Sequence, residues 1–116
     1  MSRFTFEVIE EDQKVIDFRA ARREIWVEII SEIERADNCI VLRNLHIDGA
    51  GAGTLGLKGI RDLMRDFCAA FGVKSLHVYG ARRTTGANPG SIPAPIYCEV
   101  RDNGQTRFGR LEAGAQ

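Results

Sequence analysis

The chain has 116 residues, 44% hydrophobic and 28% charged, and its formal net charge is zero. That length and composition suit one soluble globular domain with its own core, and exclude a disordered or strongly basic chain. No apolar run approaches membrane-spanning length, and the opening MSRFTFEVIEED lacks the basic-then-apolar layout of a signal peptide.

In chain order, Phe4, Phe6 and Val8 alternate with Thr5 and Glu7, the period-two pattern of a half-buried strand. Residues Glu10 to Gln13 interrupt it, and Ile16 and Phe18 resume it, which predicts an N-terminal hairpin. The stretch 20–36, AARREIWVEIISEIERA, aligns Trp26, Ile29, Ile30 and Ile33 on one helical stripe, so a helix is expected there. Its part Ile25–Ile30 also reads as a strand. Asp37-Asn38 then ends the element, and CIVLRNLHI is a short strand rich in branched residues.

A second helix is expected over 55–71, with Thr54 as N-cap. Leu57, Ile60, Leu63, Met64, Phe67, Cys68 and Phe71 recur at helical spacing. Lys58, Arg61, Asp62, Arg65 and Asp66 fill the expected wet face, and Gly72 stands where a left-handed cap wants glycine. VKSLHVYG is another short apolar strand. IYCEVRDNGQTRFGRL holds Asn103-Gly104, a strong hairpin signal. The expected fold class is therefore mixed α/β. Residues 1–116 form a single domain: a small mixed sheet with N- and C-terminal hairpins, a central strand–helix–strand crossover and two helices.

Cys39, Cys68 and Cys98 are far apart and lie in apolar contexts, without zinc-ligand spacing. Buried reduced thiols are expected, which implies a reducing, cytoplasmic setting. Charge is uneven: residues 1–38 hold ten acidic and six basic residues, whereas residues 39–116 hold six and ten. The basic part thus permits an anionic ligand without general stickiness.

The functional expectation rests on the unit 39–80. If its two strands run parallel, both carboxyl ends lie at one sheet edge, where open α/β sheets bind ligands. His46 and Asp48 leave the first strand there, and Tyr79 leaves the second, followed by GARRTTGANPG. Between the strands DGAGAGTLG enters the helix. Gly49, Gly51, Gly53 and Thr54 would expose backbone N–H groups at a positively polarised helix start. Arg82 and Arg83 would supply forked bonds to phosphate, Thr84 and Thr85 hydroxyl donors, and Asn88 a rigid turn. GAGAGTLG is neither the P-loop pattern nor the dinucleotide fingerprint, and read singly it is also an ordinary tight turn. Read alone, His46 is rather a strand-end histidine in alternation with Asn44, and Arg43 a solvated group or one paired with a carboxylate.

The run 45–90, ending in RTTGANPG, resembles C-terminal effector modules of bacterial polymorphic toxins of the Rhs and filamentous-hemagglutinin types. That resemblance implies action in the cytoplasm of a competing cell, often on nucleic acid, and a partner immunity protein. One expectation is a ribonuclease with neither metal nor cofactor. It would use His46 for proton transfer, with His77 or Tyr79 as the second group, while Arg82, Arg83, Thr84 and Thr85 hold the phosphate. The strand–Gly loop–helix–strand order also resembles the core where GNAT-type acetyltransferases hold the pyrophosphate of acetyl-CoA. A third expectation is a non-catalytic interaction protein that uses its acidic first third.

Overall fold

A computed structural model describes residues 3–49, 55–80 and 95–110. Seven strands, β1 (Thr5–Glu11), β2 (Val15–Arg22), β3 (Ile25–Ala36), β4 (Cys39–Asp48), β5 (Ser75–Gly80), β6 (Ile96–Val100) and β7 (Thr106–Arg110), form one sheet in sequential order. A helix, α1 (Gly56–Phe71), connects β4 to β5. Every neighbouring pair is antiparallel except β4 and β5, which run parallel.

Tight turns explain the sequential order. Asp12 Oδ1 accepts the N–H groups of Lys14 and Val15 at 2.7 and 2.8 Å, which closes the first hairpin. Arg23 and Asn38, both with positive φ (58° and 57°), turn β2 into β3 and β3 into β4. In the last hairpin Gly104 takes φ 86° and donates its N–H to Arg101 O, and Arg101 donates to Gln105 O. This is a three-residue loop with glycine in the left-handed position.

Only one helix is found among the described residues, which corrects the two-helix mixed α/β expectation. The stretch 25–36 is a strand, not a helix. Val27, Ile29, Ser31 and Ile33 are buried in alternation, while Trp26, Ile30, Glu32 and Glu34 are exposed. Apolar residues at 26, 29, 30 and 33 fit a helical stripe, but 25, 27, 29 and 33 fit a strand face equally well. Antiparallel partners on both sides, β2 and β4, decided between them.

One face of the sheet is covered. Phe18, Ile16, Val27, Ile29, Ile40, Leu42, Leu76 and Cys98 point towards α1, whose Leu63, Met64, Phe67 and Cys68 meet them. Rings of Phe6, Phe18, Phe67 and Phe71 cluster here, the last two stacked at 4.1 Å between centroids. Gly72 ends α1 at φ 69°, and the Val73 N–H returns to Cys68 O at 3.0 Å.

Two further expectations about α1 are corrected. Asp62 and Asp66 are buried, not on the wet face, and Leu57 is exposed. Asp66 Oδ2 accepts the Phe4 N–H at 2.9 Å, and Asp62 pairs with Arg22 at 3.0 Å. The carboxylates thus fasten α1 to the first two strands, a demand invisible in helical periodicity alone. Cys68 and Cys98 are buried and unpaired; Cys39 is half-buried. Hydrogen bonding to the Cys98 sulfur, and then burial, push the Cys68 thiol up.

Candidate functional site

The parallel pair puts the carboxyl ends of β4 and β5 at one edge of the sheet. There β4 delivers Asp48 and Gly49, and Leu55 begins the described part of the helical unit. Asp48 Oδ1 accepts the Gly49 N–H at 2.8 Å. Gly49 has φ 120°, and a Cβ there would stand 2.7 Å from the Trp26 ring. Glycine is required for both reasons: the backbone conformation and the close approach of the indole.

A bulge in β4 decides which face His46 occupies. Asn44 has φ 52°, and the register with β3 breaks between Ile30 and Glu32. The register with β5 breaks between Leu42 and Leu45. Leu42 faces the core, so plain alternation would put Asn44 and His46 on that side as well. The extra residue reverses the parity. Consequently Leu45 and Ile47 fall on the helix side, while Arg43, His46 and Asp48 fall on the bare side. Ser31 Oγ donates to Arg43 O at 3.0 Å and Asn44 Nδ2 donates to Glu32, which holds the bulge from β3.

His46 is exposed, opposite Ile30. Tyr79 is half-buried on the same bare face, with the Arg43 guanidinium 4.6 Å above its ring. Arg43 also meets Glu34 at 3.1 Å. His77 shares this face, level with Val41 and Tyr97, its ring 6.1 Å from that of Tyr97. Leu45 is level with Gly80, so His77 lies three residues back from the edge, roughly 10 Å along the strand. The structure therefore brings His46, Arg43 and Tyr79 towards one edge and leaves His77 deeper on the sheet.

Arg82, Arg83, Thr84, Thr85 and Asn88, together with Gly51, Gly53 and Thr54, lie outside the described residues. Trp26 and Arg43 were not expected at the site, nor Tyr97 beside His77 further back on the sheet. The signal that would have found Arg43 is the bulge, since only a parity change aligns it with His46. A groove of about 450 Å³ lined by Asn38, Lys74, Ser75, Glu99 and Arg101 lies at the opposite edge, by the start of β5. Its ion pair, Lys74 with Asp102, is exposed and holds Asp102 below the usual carboxylate range. Nothing expected from sequence for ligand binding falls there.

Among the described residues, no group of three or more His, Cys, Asp or Glu has metal-binding geometry, and no helix is long and apolar enough to cross a membrane. No family model, no curated protein and no solved structure matches the chain.

Proposed function

We propose that this protein binds a small phosphate-bearing ligand, of the CoA or nucleotide class, at the carboxyl edge of β4 and β5. The supporting observation is the parallel pairing of those strands across α1. Chain connectivity then sets the glycine-rich segment between a strand end and a helix start, where backbone N–H groups and the helix dipole favour an anion. Arg82 and Arg83 follow β5 from the same edge and are the cations assigned to the phosphate.

The bare face argues for a compact ligand over a long polyanion. Strands β1 to β4 turn Glu7, Glu10, Asp17, Glu28, Glu32, Glu34 and Asp48 outward against two guanidinium groups, Arg19 and Arg43. An extended nucleic acid laid across this surface would meet like charge. A ligand confined to the edge lies near Asp48 but leaves most of these carboxylates aside.

Thermal unfolding with CoA, ADP, inorganic pyrophosphate and a short RNA tests the reading. A ligand at one hundred times its Kd adds about 2.7 kcal/mol, a rise of several degrees in Tm. Stabilisation by CoA or ADP that disappears in Arg82→Ala/Arg83→Ala is expected. No response to any of the four overturns it.

The exposure of His46 at this edge, on the face shared with Tyr79, favours a second reading: metal-independent ribonuclease chemistry with His46 as the proton-transfer group. The toxin-module resemblance and an immunity partner belong to that reading. His46→Ala would then abolish RNA cleavage and growth inhibition with Tm unchanged. Full retained cleavage rejects His46 as the base.

A further inference from the structure

The bare face of β2 to β4 is where the chain leaves most unanswered. Trp26 and Ile30 are 38% and 45% exposed there. They stand among the carboxylates of Asp17, Glu28, Glu32 and Asp48, since Asp17 is level with Ile30 and Glu28 with Asp48. Trp26 has the Arg19 guanidinium 4.7 Å from its ring, and Gly49 approaches its Cε3–Cζ3 edge so closely that a Cβ would stand 2.7 Å away. An aromatic side chain flanked in this way loses little conformational freedom on docking, which is the character of an interface anchor.

Among the described residues the acids around it are poorly compensated. Asp17 Oδ1 is buried yet accepts no hydrogen bond in the described structure. The closeness of the Asp17 carboxyl, through hydrogen bonding and then repulsion, lifts Glu28 above the usual carboxylate range. Arg19 opposes that shift and Asp48 adds to it.

We propose that this face docks a basic segment of a partner protein, one in which arginine or lysine side chains alternate with apolar ones. The cations would sit on Asp17 and Glu28, and the apolar side chains against Trp26 and Ile30. Charge complementarity selects this occupant. A second copy presenting the same face would oppose carboxylates to carboxylates, and nucleic acid would meet like charge. A bound metal ion does not fit, because these residues form no metal-binding group. The docking face adjoins the ligand edge at Trp26 and Asp48, but the inference does not need a ligand bound there.

Trp26 is the only tryptophan in the chain, so its emission reports on this face directly. The test titrates the full chain with three short synthetic peptides, alternating Arg-Leu, Arg-Ser and Glu-Leu, and with a short RNA. Expected are a saturable Trp26 response to Arg-Leu that weakens with salt, and binding roughly tenfold weaker for Arg-Ser, which lacks the apolar side chains. Asp17→Asn/Glu28→Gln weakens Arg-Leu binding roughly tenfold. Asp37→Asn, in the turn after β3, leaves it unchanged. Equal affinity for Arg-Leu and Arg-Ser, or equal loss in the Asp37 variant, reduces the effect to diffuse charge attraction and overturns the proposal. So does an RNA-induced response of Trp26, or a dimer in sedimentation that Ile30→Asp dissociates.

Discussion

The two faces of this sheet are made by the same strands and behave as different materials. Towards α1, side chains such as Phe18, Val27 and Cys98 are almost wholly removed from water. On the other side, Trp26 and Ile30 stay wet between carboxylates. The strands alone do not explain this, since β3 carries branched or aromatic residues on both faces. Among the described residues a single helix covers one side of the sheet. The contrast teaches that apolar content marks a strand's capacity for burial, while the position of α1 decides which half is used.

Substitutions on each face break or sharpen that contrast. The largest effect is expected from Phe67→Ala, which opens the ring cluster and costs about 3–5 kcal/mol in urea unfolding. Ile30→Ser, on the bare face, shifts the same midpoint within about 0.5 kcal/mol. A comparable loss in both would mean the bare face is packed in solution.

Asp66→Ala comes next. It leaves the Phe4 N–H without its acceptor beneath the helix, at about 1–3 kcal/mol. Faster hydrogen exchange at Phe4 would accompany the loss. Gly49→Ala forces a Cβ into the Trp26 ring at a φ of 120°, costing on the order of 1–3 kcal/mol. Its signature is a changed Trp26 emission before unfolding begins.

Smaller effects concern pH. Burial pushes the Asp62 carboxyl up, but hydrogen bonds from Arg22 and Lys58 and the charges of Lys58 and Arg65 outweigh it. The folded-state value is thus lowered. Its stabilisation is present at neutral pH and is lost as pH falls through that lowered value. Asp62→Asn should flatten the acid limb of the stability curve; an unchanged limb would remove the ion pairs from the account. Glu28 has the opposite sign. Its folded-state value is raised, so the ionised form costs stability at neutral pH and the cost vanishes as pH falls through the raised value. Glu28→Gln should raise Tm slightly at neutral pH and not at acid pH. A lowered Tm there would show the carboxylate to be favourable in place.

Local signals identified some elements directly. The Asp12 turn, the Asn103-Gly104 hairpin and the Gly72 cap are written in residues whose backbone preferences act over a few positions. The stretch 25–36 was not legible in this way, because its apolar residues satisfy both periods and only pairing with the strands before and after it chooses between them. At the candidate site, His46, Tyr79 and Gly49 were identifiable as strand-end residues. Their alignment with Arg43 was not, because it depends on a bulge at Asn44 that breaks the alternation the reading assumed.

By itself, then, the sequence determined the first and last hairpin turns, the break at Asp37-Asn38, the helix after the glycine-rich segment and the apolar stock of each strand, all short-range properties of side chain and backbone. Only the tertiary structure decided that residues 25–36 extend, that Asp62 and Asp66 are buried and that His46 shares a face with Arg43. The first is settled by pairing with the neighbouring strands, the others by contacts with β5, β2 and the residue before β1 that are distant along the chain. A one-residue bulge is enough to send a side chain to the other side of the sheet.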